Sequence, residues 1–460
     1  MPSINDYFDT LRGRRIAVLG MGVSNTPLIR MLLRRELDVT VRDKADRERL
    51  GEQAQELESL GARLRLGEDY LEDLDEAVIF RTPGVSPNTP QLRRAAERGS
   101  ELTSEMELFF RACPCCLIGV TGSDGKTTTT TLIAEFLKAA GKNVYVGGNI
   151  GKPLLPDVDG MEPSDFAVLE LSSFQLMTME QSPHIAVFTN LSPNHLDYHG
   201  TMEEYIAAKE NIFRHQREGD RAVFNQDNAL TRDAARGAPA GVTWFSRRQR
   251  LEEGVYLRDG AIWLTNEQGS REVLPLSDIR LPGVHNVENY MAAIAAVDGL
   301  VPDRCVREVA RRFSGVEHRI ELVRELDRVR YYNDSIGTSP SRTIACLEAF
   351  EQKVILIAGG YDKGVPFTSL GLEIADRVKT LVLTGDTAKA IRDAVEAAPA
   401  AAPGHPDILE LEDFAAAVKA ARATAEPGDI VVLSPACAAF DKFKNFMERG
   451  KYFKELVQQF

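Results

Sequence analysis

Short apolar runs recur along this chain, each ending in Gly, Asp, Asn or Ser and each followed by a longer stretch of mixed character. "RIAVLG", "DVTVRD", "AVIFRTPGV", "CLIGVTG", "NVYVGG", "FAVLELSS" and "IAVFTNLS" occupy the first two hundred residues, and "KVILIAGG", "TLVLTGD" and "IVVLSPA" come near the end. Continuous Val/Ile/Leu runs of this length are the pattern of strands buried on both faces, with helices in the gaps. That alternation predicts an α/β protein with mostly parallel sheets. The stretch "AVEAAPAAAPGHP" (394–406) reads as a flexible surface turn.

Ligands of such sheets gather at the carboxyl ends of the strands. Here the polar strand ends fall into three groups: "GMGVSN", "RD" and "TPGV"; then "TGSDGKT" through "HNVEN"; then "HRIE", "NDS", "GGYDKG" and "SPAC". Three domains follow, at 1–112, 113–316 and 317–460. A length of 460 residues agrees with that count at roughly 150 per domain.

Composition narrows the partners. Hydrophobic residues make up 43% and charged residues 27%, as in an ordinary globular protein. A net charge of −13 argues against a nucleic-acid or anionic-membrane surface, so anionic ligands need local cations. No stretch reaches the roughly 18 apolar residues of a membrane span, and the N-terminus lacks a signal-peptide core. Cys113, Cys115 and Cys116 read as structural thiols, which fits a reducing cytoplasm. No heptad stripe calls for a partner chain, and a monomer is expected.

In "VLGMGVSN" Gly20 and Gly22 fit the start of a dinucleotide fingerprint, but Asn25 replaces its third glycine; Asp43 ends the next strand, where a ribose-binding acid sits in such folds. A nicotinamide cofactor, a nucleotide-linked ligand and a bare tight turn are the three readings, and the nucleotide-linked ligand is preferred.

"VTGSDGKTTTTTL" (120–132) fails the strict phosphate-loop pattern, since Val120 stands where the first glycine belongs. Its physical requirements are met all the same. Gly122 and Gly125 permit positive φ and close backbone approach. Backbone N–H groups at a helix start meet phosphate oxygens. Lys126 reaches the β and γ phosphates, and the Thr127 hydroxyl suits Mg²⁺. Thr128 and the threonines after it are stiff at χ1, so packing or ligand must hold this first turn.

Glu170 lies within an apolar strand, where an uncompensated acid is costly and a cation would offset it. His195, Asp197 and His199 follow another strand; beside triphosphate they suit Mg²⁺ or Mn²⁺, with a capping or core histidine and a turn aspartate as the plain alternatives. Thr201 and Glu204 form a capping-box pattern, and Lys209 on the same helix reads as a solvated lysine. Asn286 and Asn289 share a helical face and fit an adenine edge, with N-capping as the alternative for Asn286.

These motifs together resemble the Mur ligase family, which builds the cell-wall peptide. The likeness rests on "GVTGSDGKTTT", "LELSSFQL", "NLSPNHLDYHG", "LPGVHNVENYMAAIAA" and "GVEHRIE", in order along essentially the whole chain. "LSPACAAFDKFKNFMERG" and "AGGYDKGVPF" are most similar to the members that add D-glutamate. The resemblance implies a Rossmann-like N-terminal domain for the UDP-substrate, a central P-loop ATPase-type domain and a Rossmann-like C-terminal domain for the amino acid. It implies ATP- and Mg²⁺-dependent ligation of D-glutamate to UDP-N-acetylmuramoyl-L-alanine through an acyl phosphate.

By motif, Gly122, Gly125, Lys126, Thr127 and Thr128 would hold phosphate, while Thr127, Glu170, His195 and a carbamylated Lys209 would hold metal. Lys126, Lys209 and His195 are then the catalytic set. Asn286 and Asn289 would meet adenine, Arg319 the phosphates and Asp334 the ribose. Val23, Ser24, Asp43, Lys44 and Gly84 would form the uridine pocket, with Asn149 joining from the central domain. Thr338, Lys363 and Phe446 would lie at the D-glutamate site. The sequence departs from the family at Asn194, where an aspartate is usual; at Ile336 and Gly337, where lysine and alanine are common; and at Ala439, where a serine often stands. A nicotinamide-dependent dehydrogenase and a catalytically dead nucleotide sensor are the rivals from other classes. "GMGVSN" without its third glycine, together with the phosphate loop, argues against the first, and the intact Lys126, Glu170 and His195 argue against the second.

Overall fold

The structure is a computed structural model that describes residues 4–281, 283–362, 364–398 and 406–460, without the Asp197 side chain. It forms two compact units, Met1–Ile279 with Val284–Arg311 and Arg280–Gly283 with Arg312–Phe460.

The first unit holds two sheets. In the first, β1 (Ile16–Leu19), β2 (Val39–Asp43), β3 (Arg63–Leu66), β4 (Val78–Phe80) and β5 (Glu101–Thr103) run parallel in the order β3-β2-β1-β4-β5. The order reverses at β1, so the "GMGVSN" turn after it opens at a topological switch point. Arg42 lies within β2 yet is buried: it pairs with buried Glu76 at 3.0 Å and donates to the carbonyls of Tyr70, Glu72 and Asp73.

The second sheet contains β6 (Cys116–Thr121), β7 (Val144–Gly148), β8 (Phe166–Glu170), β9 (Ile185–Phe188), β10 (Arg221–Asn225), β11 (Gly241–Ser246), β12 (Gly254–Arg258), β13 (Ala261–Asn266) and β14 (Gly269–Pro275). Their order is β14-β13-β12-β11-β10-β9-β6-β8-β7. Strand β6 lies between β8 and β9, so its end too is a switch point. The expectation of parallel strands fails at one edge, where β12, β13 and β14 pair antiparallel in a meander. One apolar cluster joins the two sheets, running from Phe8, Val18 and Phe80 through Phe109 and Leu155 to Phe188 and Phe224. Each such side chain fully buried contributes about 1.5–3 kcal/mol.

Among the described residues the second unit has six strands: β15 (Glu321–Leu326), β16 (Val329–Asn333), β17 (Val354–Ala358), β18 (Val378–Leu383), β19 (Asp407–Glu410) and β20 (Ile430–Leu433), ordered β15-β16-β20-β17-β18-β19. Strand β15 is antiparallel to β16, and the other pairings of these strands are parallel. Successive residues serve opposite faces, as a pleated strand requires. Tyr332 and Leu356 pack on one layer with Leu370 and Ile391, while Tyr331, Ile355 and Ile357 pack on the other with Phe414 and Phe453. Residues 394–396 continue the helix Ala388–Glu396 instead of forming a turn, and 399–405 lie outside the described residues.

Candidate active site

The loop after β6 is built from contacts that leave no spare room. Gly122 has φ 146° and Gly125 has φ 78°. A β-carbon on Gly122 would collide with the Thr189 hydroxyl, and one on Gly125 with the Asn289 side-chain oxygen. The loop is braced from the end of β9: Asp124 N donates to Asn190 Oδ1 (2.9 Å), and Thr189 Oγ1 donates to Asp124 O (2.6 Å). Ser123 Oγ donates to Ser192 O (2.9 Å) and lies 3.1 Å from the Tyr205 hydroxyl. The helix Lys126–Ala139 begins at once, with Lys126 Nζ folded back onto the carbonyls of Gly122 (3.0 Å) and Ser123 (2.8 Å).

Packing holds the threonine run. Thr128, Thr129 and Thr130 are buried, and Thr129 Oγ1 donates to Asn289 Oδ1 at 3.3 Å. Asn289 in turn donates to Asn286 Oδ1 at 3.1 Å. Asn286 is the third residue of the helix Val284–Val297, so the N-cap reading fails.

Glu170 is 2% exposed at the end of β8. Its Oε2 accepts from the Thr127 hydroxyl (2.6 Å) and its Oε1 from Asn149 Nδ2 (2.8 Å). Asn149, expected at the uridine, is thus seen holding Glu170. A hydroxyl against a buried carboxylate is a hard-oxygen donor pair, which fits Mg²⁺ or Mn²⁺ and not a soft metal. Among the described residues no three His, Cys, Asp or Glu side chains gather closely enough to hold a metal. His195 has φ 54° and precedes the short helix Leu196–His199, with its ring edge-on to Phe174 at 5.0 Å.

Lys209 corrects the reading of a solvated lysine. It is 2% exposed, donates to Gly122 O (2.8 Å) and Thr121 Oγ1 (3.3 Å), and lies over the Tyr205 ring at 4.9 Å. Burial, then the nearby Lys126 charge, pushes its pKa well below the usual lysine value, against the opposing pull of Glu170 and Asp124. The capping box at the start of this helix is half formed: Glu204 N donates to Thr201 Oγ1 at 3.1 Å. A complete box stands instead at Ser172 and Gln175.

The turn after β1 is looser. Val23 is 77% exposed, and Lys44 meets Glu68 only at 3.6 Å on the surface. Ser24 precedes the helix Asn25–Leu33 without a side-chain cap bond. Asn25, in the third glycine's place, donates to Leu19 O (2.8 Å) and Gly20 O (3.3 Å). Asp43 accepts from Met21 N (2.7 Å) and Ala45 N (2.8 Å), tying two loops together. Gly84 lies in the tight turn closed by Val85 N to Thr82 O at 3.0 Å.

In the second unit Asp334 is buried, accepting from Ser434 Oγ (2.7 Å) and Ile320 N (3.3 Å). Burial raises its pKa to about 6, while Ser434 and then the Arg319 charge pull it back. A β-carbon at Gly337 would stand 2.6 Å from Asp334 Oδ2, which accounts for glycine there. Thr338 N donates to Ile336 O (2.8 Å), and the Phe446 carbonyl accepts from Ser335 Oγ (2.8 Å). Lys363 lies outside the described residues.

Residues 14–104 match the Mur ligase MurD-like N-terminal domain, 120–297 the Mur ligase middle domain, and 318–437 the Mur ligase glutamate ligase domain. The chain is 50% identical over 459 residues to the UDP-N-acetylmuramoylalanine–D-glutamate ligase of Acetivibrio thermocellus, covering 99% of this chain and 98% of that one. It is 48% identical over 457 residues to the protein of the same name from Ruminiclostridium cellulolyticum, with the same coverage.

The chain belongs to the Mur ligase family.

The Mur ligase fold of three α/β domains is also seen in solved structures. The UDP-N-acetylmuramate–alanine ligase of Thermotoga maritima aligns with TM-score 0.58 at 20% identity, over 97% of this chain and 99% of that one. A UDP-N-acetylmuramoyl-L-alanyl-D-glutamate–2,6-diaminopimelate ligase aligns with TM-score 0.56 at 21% identity, over 98% and 94%. Within this Mur ligase, the sequence reading missed the residues that hold the loops. Thr189 and Asn190 end a strand, as functional residues do, but their targets are backbone groups. Tyr205 stands one turn before Lys209, a spacing that hinted at the stacking found. Arg449 is buried and donates to the carbonyls of Ser335, Cys437 and Ala438, and nothing in "MERG" singles it out.

Proposed function

We infer that this chain is an ATP-dependent ligase that joins D-glutamate to UDP-N-acetylmuramoyl-L-alanine in peptidoglycan precursor synthesis. The observation that carries this reading is the 50% identity, over both full lengths, to a ligase of that name. The braced loop after β6 supports it, with Lys126 over the carbonyls and Glu170 beside Thr127.

The substrate carboxylate attacks the γ-phosphorus of ATP, the bond to the β-phosphate oxygen breaks, and ADP leaves. The D-glutamate amine then attacks the acyl phosphate. A tetrahedral intermediate loses a proton from nitrogen and expels phosphate, leaving the amide. Two anions must meet, so positioning and charge neutralisation do most of the work. Loop N–H groups and the helix start at Gly122, Gly125 and Thr128 cradle phosphate, and the Lys126 charge follows the transferring group. Mg²⁺, with Mn²⁺ as an alternative, would neutralise phosphate charge. Thr127, Glu170, His195 and Lys209 as a carbamate would hold it. The buried amine of Lys209, with its lowered pKa, is the kind of neutral nucleophile that CO₂ requires.

Asn286 and Asn289 take the adenine, Arg319 and Asp334 the phosphates and ribose. Val23, Ser24, Asp43, Lys44, Gly84 and Asn149 take the uridine side. Thr338, Lys363 and Phe446 serve D-glutamate. These functions divide among domains 1–112, 113–316 and 317–460. The protein works as a cytoplasmic monomer, where ATP and UDP-sugars are supplied; no described helix is long and apolar enough to cross a membrane.

The test is phosphate release with ATP, Mg²⁺, UDP-N-acetylmuramoyl-L-alanine and a panel of amino acids. D-glutamate alone should support turnover. Equal or better rates with L-glutamate, L-alanine or meso-diaminopimelate would sink the reading.

A further inference from the structure

Arg81 directly follows β4 and has one of the most deeply buried side chains among the described residues, 1% exposed. An arginine is placed so only where several acceptors meet it. Its guanidinium donates to Val85 O (3.3 Å) on its own loop. It also crosses to the second sheet's domain, donating to Phe174 O (2.7 Å) and Thr178 Oγ1 (3.2 Å). Burial lowers its pKa, while the nearby Tyr198 and Glu107 favour its charge.

A second bond closes the same junction from the other side. The Tyr198 hydroxyl donates to Pro83 O at 2.9 Å. The turn 82–85 is therefore pinned through the carbonyls on either side of Gly84. Its partners are not arbitrary. Phe174 and Thr178 belong to the segment that leaves β8 just after Glu170, and Tyr198 lies three residues after His195. The Phe174 ring contacts the rings of His195 (5.0 Å), Tyr198 (4.4 Å) and His199 (5.4 Å, stacked). His199 Nε2 is in turn 2.9 Å from Ser173 Oγ.

We propose that Arg81 and Tyr198 form a two-point latch that sets the register between the nucleotide-sugar turn and the segments carrying Glu170 and His195. The inference rests on the function above, because it assigns the latch to the placement of the UDP-linked acceptor. A substrate gripped at its uridine end must present its carboxylate at the phosphate loop, and the latch fixes the distance between those two places. Arg81 and Tyr198 are thus positioning residues. A misplacement of about 1 Å remote from the chemistry costs up to about 100-fold in rate.

Steady-state kinetics of Arg81→Met, Arg81→Lys and Tyr198→Phe test this, with wild type in parallel. If wild type does not use D-glutamate, the functional reading fails, and the latch with it. If it does, Arg81→Met should lower kcat/KM for the UDP-sugar by about 10–100-fold. The KM for ATP should stay within about twofold, because the loop after β6 is braced independently. Arg81→Lys should recover part of the loss. Tyr198→Phe removes one hydroxyl and should cost about 3–10-fold on the same parameter. Should Arg81→Met not fold, the Tyr198→Phe result decides. Unchanged UDP-sugar kinetics in Tyr198→Phe, or losses spread equally over all three substrates together with a lowered melting temperature, would overturn the latch.

Discussion

The strand–glycine turn–helix units after β6 and β1 both open at switch points of the first compact unit, and they differ in build. After β6, both turn glycines have positive φ with no space for a side chain, and Thr189 and Asn190, just past β9, hold the backbone in place. A lysine lies over the carbonyls and a carboxylate stands beside the first helical hydroxyl. After β1, Gly20 has φ 89°, but a β-carbon on Gly22 would meet nothing within 4 Å. No lysine or arginine lies in the turn itself, and Asn25 satisfies the carbonyls that a closely packed helix would otherwise crowd. On the proposed function, the turn after β6 would hold a multiply charged phosphate chain still, and the more open turn after β1 would meet the UDP-linked acceptor. The same local fold would then serve chemistry or recognition according to what fills the space around its glycines.

Removing the charge from the tight turn is expected to have the largest effect. Lys126→Ala should lower ligation by about 10²–10³ with an unchanged melting temperature. Activity within a few-fold of wild type would mean that this turn is not the catalytic one. Lys209→Arg should come next: folded, with nearly all activity lost, because a guanidinium stays protonated and offers no free amine to CO₂. A fully active arginine variant would end the carbamate assignment.

The glycines give a direct contrast. Gly122→Ala should cost at least about tenfold in kcat, since positive φ and the Thr189 contact both forbid a β-carbon. Gly22→Ala should stay within about threefold, as an ordinary surface change does. Equal losses would erase the distinction between the turns.

The smallest effect concerns stability. Glu105, on the helix that follows the first sheet, is buried, and its Oε1 has no hydrogen-bond partner among the described residues. Burial raises its pKa from 4.5 to about 7. A raised pKa means that the folded state holds the proton longer than the unfolded chain. This contribution is therefore complete below pH 4.5 and is lost as pH rises through 7. Glu105→Gln should flatten that part of the stability–pH curve in denaturant titrations, and an unchanged slope would place the titration elsewhere.

The strands and the phosphate loop were legible because local sequence dictates them. A buried Val/Ile/Leu run has few other fates, and a glycine turn ending in Lys-Thr meets phosphate through backbone geometry alone. The antiparallel meander at β12–β14 was missed, although the Asp259-Gly260 pair between β12 and β13, both at positive φ, is the kind of turn that closes a hairpin. Lys209 was misread for a different reason. Its helix also carries Glu203, Glu204, Glu210 and Arg214, so a lysine among them reads as part of the solvated face, and only the tertiary approach of Tyr205 and the Gly122 carbonyl shows that it faces inward. Arg81 and Arg449 escaped notice likewise, because most of their acceptors are main-chain carbonyls, several of them distant in sequence, which no side-chain motif marks.

The central claim is that the tight turn moves a phosphoryl group onto the acceptor's carboxylate. Oxygen tracing tests it most directly. UDP-N-acetylmuramoyl-L-alanine labelled with ¹⁸O in both carboxylate oxygens is turned over with ATP and D-glutamate, and the released phosphate is analysed by mass. An acyl phosphate passes one labelled oxygen into each phosphate as the amine displaces it, so label and product should appear in equal amounts. Unlabelled phosphate formed alongside the amide would contradict the account.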